Sequence, residues 1–194
     1  VFRRVCEQST RWTTRWPDHP IAVRTNFSAR QLETSGLLTT IDDALELTGA
    51  DPKLLCAEIT ETSMLRGTAT VAANLDGIHQ RGITIASDDF GTGYASLIQL
   101  RAYPIEHVKI DRSFVIDLTT DARSHDLTAG TIALANRLGL GVTAEGVERP
   151  EQATLLAELG CRRAQGFLYS PAVPAEEFEA LVEAAQVSAV LATS

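Results

Sequence analysis

The sequence has little cysteine, little methionine and few aromatics: three Cys, one Met and 6% aromatic residues in 194. Cys6, Cys56 and Cys161 stand far apart and are odd in number, and no CxxC pair occurs. That spacing argues against a disulfide framework, and the three read as small buried residues of a reducing compartment, so a cytoplasmic location is expected even if a longer parent chain were membrane-anchored. No apolar run approaches membrane-spanning length and no signal peptide is visible. Positive charge is also scarce. Lys and Arg number 17 against 25 Asp and Glu, a net charge of −8. This argues against non-specific nucleic-acid binding, which needs a basic surface. An anionic small substrate is not excluded, because bound metal ions reverse the local sign of a site. The chain opens on Val1 rather than methionine, and the expectation is that something upstream has been lost.

What is present is a globular balance, 44% apolar and 22% charged, in a length suited to one domain with a real core. A unit recurs along it: a short apolar or β-branched run, a polar residue at its end, then an amphipathic helix. The runs are Ile21–Thr25, Leu54–Ile59, Ile83–Ser87, His107–Ile110, Gly141–Ala144 and Arg163–Gly166. Their closing polar residues are Asn26, Glu58, Asp88, Lys109, Glu145 and Gln165. Helices are expected over Val1–Arg15, Ala69–Arg81, Leu127–Leu138, Glu151–Leu159 and Ala175–Ala185, with Gly139 and Gly160 as stops and Pro150 and Pro174 as openers.

Strands alternating with helices imply parallel pairing through right-handed crossovers. An open doubly wound sheet would place its site at one switch point. Here almost every strand closes on a polar residue, which fits a parallel β/α barrel, where all the strand ends converge on one face. About six units are visible. A closed barrel has eight strands and typically about 250 residues, so the chain reads as a barrel with about two strands absent.

Several strand ends carry chemistry. Asp88-Asp89 precedes Phe90-Gly91-Thr92-Gly93. One aspartate could simply cap a helix while the glycines turn the chain; the other reading is a metal site, since carboxylates suit magnesium and manganese. In Glu58-Ile59-Thr60-Glu61, alternation puts Glu58 and Thr60 on one strand face with Glu61 beyond the strand end. A charge pointing into a barrel is costly unless it is paired or metal-bound. Asn26 reads either as a turn residue or as a ligand, and Glu145 and Glu148 either as loop acids or as members of the same site. Lys109, inside the apolar run Val108-Lys109-Ile110-Asp111, is either an edge residue or is aimed at something anionic. One barrel mouth would gather them all.

The stretches Asn26-Phe27-Ser28-Ala29-Arg30-Gln31-Leu32, Glu58-Ile59-Thr60-Glu61, Asp88-Asp89-Phe90-Gly91-Thr92-Gly93-Tyr94, Lys109-Ile110-Asp111-Arg112-Ser113-Phe114, Ala144-Glu145-Gly146-Val147-Glu148 and Gln165-Gly166-Phe167 resemble, in order, the EAL family of bacterial cyclic-di-GMP phosphodiesterases. The resemblance covers nearly the whole chain. It implies a TIM-like barrel with an antiparallel first strand, two Mg2+ or Mn2+ ions, and hydrolysis of cyclic-di-GMP to linear pGpG. Calcium is expected to hold substrate without turning it over. By position, Asn26, Glu58 and Asp88 resemble metal ligands, and Asp89 a ligand of the second metal or of its water. Lys109 resembles the cation near the attacking water, and Glu145 a second-metal ligand or base. Glu148 and Gln165 resemble supporting contacts, and Glu61 the acid that pins the loop Phe90–Ser96. Gly91 and Gly93 would give that loop its backbone freedom. In the family this loop links metal binding to dimerisation, so a homodimer is expected, as are upstream sensory or cyclase domains in a parent chain.

The departures are specific. The family's Glu-Ala-Leu motif, whose glutamate binds metal, is not found near the N-terminus. Glu179-Ala180-Leu181 spells it on the last helix, where it is expected to be amphipathic surface and coincidental. A six-strand barrel would have open edges prone to pairing or swapping, and weak or absent activity is expected of the chain alone. A catalytically silent domain that binds cyclic-di-GMP or a protein is the alternative. An enolase-like or glycerophosphodiester barrel would need a placed base or a histidine pair, and His19, His79, His107 and His125 are scattered.

Overall fold

A computed structural model describes residues 1–64, 68–91 and 100–192. Helix α1 (Phe2–Arg15) leads into strand β1 (Val23–Asn26), the short α2 (Ala29–Leu32) and α3 (Leu37–Thr48). Strand β2 (Leu55–Thr60) is followed by α4 (Glu61–Met64) and α5 (Ala69–Gln80), then β3 (Thr84–Phe90) and β4 (His107–Ile110). The rest is α6 (Arg112–Val115), α7 (Ala122–Arg137), β5 (Gly141–Ala144), α8 (Pro150–Glu158), β6 (Arg163–Ala164) and α9 (Ala175–Ala192). The six strands form one sheet in sequence order, every pair parallel. This is the curled, two-strands-short form of an eight-stranded TIM-like barrel.

The alternation of each strand divides the molecule. Leu55, Ala57 and Ile59 of β2, Ile85 of β3, Val108 and Ile110 of β4, and Val142 and Ala144 of β5 are buried in the hydrophobic core together with helix residues such as Ile41, Val71, Leu75, Ile78, Ile132 and Leu156. The intervening residues form the inner face: Arg24 and Asn26, Cys56 and Glu58, His107 and Lys109, Gly141 and Thr143. The strand residues Arg24, Glu58, His107, Lys109 and Thr143 therefore lie on one side of the sheet, where they can meet.

Five of the six strands match the expected runs to within two residues at each end, and β3 departs from them. It runs three residues past Ser87, through both aspartates, because a bulge absorbs an extra residue: Ser87 pairs with Val108, and Phe90 with Ile110. Helix α7 begins a turn earlier than Leu127, capped by the Asp121 side chain, which accepts from the Ser124 amide at 2.7 Å. Helix α3, absent from the expected set, buries Leu37, Ile41 and Ala44 and ends on left-handed Gly49 (φ 65°).

Candidate metal centre at the strand ends

Four neighbouring strands bring their ends together around Lys109. Its Nζ lies 3.1 Å from Glu58 Oε2, 2.9 Å from Asp88 Oδ1 and 2.7 Å from Glu145 Oε1. Glu58 comes from β2, Asp88 from β3, Lys109 from β4, and Glu145 follows β5. Burial pushes the ammonium down, but the hydrogen bonds to Glu145 and Asp88 and the charge of Glu58 outweigh it and hold Lys109 above its ordinary value.

The bulge explains how adjacent aspartates serve one site. Simple alternation would send Asp88 inward and Asp89 outward. Asp89 instead adopts φ 55°, the one positive φ among the described residues other than glycine. One carboxylate oxygen each from Asp88, Asp89 and Glu145 then falls within 4.8 Å of the others. Burial, with the charges of Asp88 and Asp111, raises the Asp89 carboxyl. Glu145 is also raised, by burial that Lys109 only partly offsets. Closely spaced carboxylates with oxygen-only donors suit a hard divalent cation.

Backbone contacts secure the surrounding loops. The Glu145 amide donates to Ile110 O at 3.0 Å, the Gln165 amide to Ala144 O at 2.8 Å, and the Val147 amide to Gln165 O at 3.1 Å. Gly166 lies against the backbone of Val147 so closely that a Cβ would collide with it. Gln152 is buried and accepts from the Glu148 and Arg149 amides while donating to Val115 O at 2.9 Å, which fixes the loop after β5 against α6. Gly91, at φ 97°, turns the chain beside the Phe114 ring, where a side chain would have neither the angle nor the room.

The other expected site residues are placed differently. Asn26 pairs in register with Glu58 on the same face but is exposed at the sheet edge. Glu148 is exposed and ion-paired with Arg112 at 2.9 Å, on the rim. Gln165 is exposed. Glu61 is buried, 3% exposed, at the start of α4. Gly93 and the loop beyond Gly91 that Glu61 is expected to pin lie outside the described residues.

Arg24, His107, Thr143 and Arg163 were not singled out in the sequence, yet they meet beneath the acids. Arg24 Nη1 is 3.4 Å from Glu58 Oε1, and its Nη2 is 3.3 Å from His107 Nε2. His107 Nε2 lies 2.7 Å from Thr143 Oγ1, and Nδ1 lies 3.3 Å from Arg163 Nη1. A neutral ring has one acceptor nitrogen; with the proton on Nδ1, Nε2 accepts from Arg24 and from the Thr143 hydroxyl, and Arg163 lies against the ring without a hydrogen bond. Burial, then the charges of Arg24, Arg163 and Lys109, push His107 down to about 4, so the ring is neutral at pH 7. The available signal was spacing: Arg24 is two residues before Asn26 and His107 two before Lys109, and so on the same strand faces.

The expected surface setting of Glu179-Ala180-Leu181 is corrected at its first residue. Glu179 is 6% exposed. Its carboxylate takes Trp12 Nε1–H at 3.0 Å, Arg15 Nη1 at 2.7 Å and Arg11 Nη2 at 3.2 Å. The aromatic pair Trp12–Phe178, with centroids 5.0 Å apart, packs alongside. The motif letters thus sit in a helix–helix clamp between α9 and α1.

Parallel strands in sequence order, with acids and a lysine converging at their carboxyl ends, define an α/β barrel-type protein with a cation-suited mouth. The family model described as "EAL domain" matches residues 1–172, and the chain belongs to that family. It is 36% identical over 183 residues to the bifunctional diguanylate cyclase/cyclic di-GMP phosphodiesterase MucR of Pseudomonas aeruginosa, covering 94% of this chain and 26% of that protein. A solved structure of the PaMucR phosphodiesterase in complex with c-di-GMP superposes with a TM-score of 0.84 at 33% identity, covering 91% of this chain and 71% of that one. The manganese/cy-diGMP complex of Klebsiella pneumoniae BlrP1 gives a TM-score of 0.76 at 25% identity, covering 88% and 44%. The chain spans 22% and 30% of the length of the first curated relatives it matches. No helix among the described residues is long and apolar enough to cross a membrane.

Proposed function

We propose that this domain, taken as a single EAL unit over residues 1–194, hydrolyses one phosphodiester bond of cyclic-di-GMP to give linear pGpG. The observation that carries the reading is the contact of Lys109 with Glu58, Asp88 and Glu145 in the same cluster where Asp88, Asp89 and Glu145 converge within 4.8 Å. Asn26, Glu58, Asp88, Asp89 and Glu145 would hold two Mg2+ or Mn2+ ions, consistent with the manganese complex of the Klebsiella relative. Such ions acidify a bound water and offset charge on the reacting phosphate. Lys109 holds a positive charge at the cluster's centre, where it orients a water and balances developing negative charge. Glu145, raised by burial, is a better proton acceptor than an ordinary carboxylate. Glu148 and Gln165 support from the rim, and Glu61 and the glycines Gly91 and Gly93 shape the adjoining loop. The expected setting is a cytoplasmic homodimer that ends a second-messenger signal, fed by sensory or cyclase domains elsewhere in a longer chain.

The test is incubation of the protein with cyclic-di-GMP and Mn2+ or Mg2+, with chromatographic identification of pGpG; only weak, metal-dependent turnover is expected of this chain, whose strand ends lack the Glu-Ala-Leu glutamate. Calcium is expected to support binding and block turnover. The exposure of Asn26 and Gln165 on the edge strands favours a second reading, a domain that binds cyclic-di-GMP without cleaving it. Calorimetry showing nucleotide binding with calcium, but no pGpG with manganese, would select that reading. Neither binding nor turnover would overturn both.

A further inference from the structure

The carboxylate of Glu58 is buried and bracketed by cations from opposite sides. Lys109 reaches Oε2 from β4 at 3.1 Å, and Arg24 reaches Oε1 from β1 at 3.4 Å. The two cations are not equivalent. Lys109 is shared with Asp88 and Glu145, so its hold on Glu58 is one of three. Among the described residues the acid that Arg24 pairs with is Glu58. The far side of Arg24 rests on the His107 ring, itself braced by Thr143 and by Arg163.

We propose that Arg24 is a positioning residue: it fixes the plane of the Glu58 carboxylate through Oε1 and leaves Oε2 turned toward the strand-end acids to ligate a divalent cation. The inference rests on the reading of Glu58 as a metal ligand. A carboxylate that gives one oxygen to a metal is held best by a donor on its other oxygen, and such outer partners typically govern about 10- to 100-fold in metal affinity. Arginine suits the task because its planar fork presents separate nitrogens to Glu58 and to His107, and because its charge does not change with pH. A lysine would have to reach both partners from one nitrogen at the end of a flexible stem, without the fixed fork.

The sign of the effect makes the proposal falsifiable. By charge alone, removing a cation next to the site tightens the binding of a metal ion. Loss of positioning weakens it. Isothermal titration of the metal-free protein with MnCl2 is expected to show Arg24→Gln binding about 10- to 100-fold more weakly. Glu58→Gln should lose at least as much, and the double variant should be no weaker than Glu58→Gln alone, because the two act through one carboxylate. Binding by Arg24→Gln that equals or exceeds wild type, with Glu58→Gln weakened, would overturn the role of Arg24 and leave the reading of Glu58 standing. Unchanged binding by Glu58→Gln would remove Glu58 from the ligands, and the proposal with it. Thermal melting without metal reports folding. If Arg24→Gln does not fold, Arg24→Lys, which keeps the charge, is titrated instead. Weaker binding by that variant supports the fork geometry, and wild-type affinity overturns it.

Discussion

Glu58 and Glu179 are each 6% exposed, and each is met by cations, yet they sit in opposite electrostatic settings. Glu179 receives two arginines and an indole N–H, and it shares Arg15 with the exposed Glu183. Its needs are fully met within the protein. Glu58 shares Lys109 with Asp88 and Glu145, so among the described contacts three acids meet two cations, Lys109 and Arg24. An acid group saturated by its own chain is structural. One left short of positive charge, at the convergent ends of four strands, has room for a cation from outside. The same comparison separates a motif's letters from its chemistry, because Glu179 opens the one Glu-Ala-Leu string in the chain.

The strongest way to break this contrast is to remove Lys109. Without it, three carboxylates lose a shared partner, and uncompensated buried charge costs about 3–5 kcal/mol. Lys109→Met should lose about that much stability in chelator. Added Mn2+ should recover a larger share of the loss than it contributes to the wild type, since the ion now supplies the missing charge. Denaturant unfolding with EDTA and with Mn2+ checks both statements. Equal stability of variant and wild type in chelator would mean the acids are not held against repulsion by Lys109.

Acid should affect the mouth through His107. Its folded value, about 4, lies below the ordinary 6.5. Below pH 6.5 the unfolded chain therefore takes up a proton that the folded chain refuses. Stability present above pH 6.5 falls as the pH drops through 4 and levels off below it, by about 3 kcal/mol in all. Asp89 and Glu145, held above their ordinary values, work in the opposite direction as they protonate. The difference between wild type and His107→Gln isolates the histidine. Urea unfolding across this range should show a slope in the wild type that the variant lacks.

A smaller effect is expected at the helix clamp. Glu179→Ala leaves the Trp12 indole N–H without its acceptor, a cost of about 1–3 kcal/mol. The exposed arginines turn to water and add little. Mn2+ affinity should not change, since the clamp lies on α1 and α9 rather than at the strand ends. Altered Mn2+ affinity in this variant would join the two regions that the comparison keeps apart.

Much of this was legible in the sequence. The strand runs, the parallel order and the polar strand ends follow from periodicity of two interrupted by helical periodicity. What escaped was whatever depends on neighbours distant in sequence. The bulge that turns Asp89 inward is a register event between β3 and β4, and nothing in Asp88-Asp89 announces it. Arg24 looked like an ordinary charge in a short strand until β2 and β4 placed Glu58 and His107 beside it. Glu179 looked like helix surface because its partners lie more than 160 residues away, on α1. Helix α3 is a different omission: Leu37, Ile41 and Ala44 carry the helical spacing openly.

The smallest effect sharpens the boundary of the mouth. Glu145 and Glu148 are three residues apart and read alike from the residues alone, and the structure separates them: Glu145 contacts Lys109 at 2.7 Å, while Glu148 pairs with Arg112 on the rim, their side chains 41% and 56% exposed. An exposed pair of this kind is worth under about 1 kcal/mol and is screened by salt. Glu148→Gln should therefore change Mn2+ affinity by less than about threefold, whereas Glu145→Gln should change it by 10-fold or more. Titration of both variants at low and high salt distinguishes the cases. Equal losses would extend the metal-holding mouth out to the rim, and Arg112 would then be a competitor for the ion rather than a bystander.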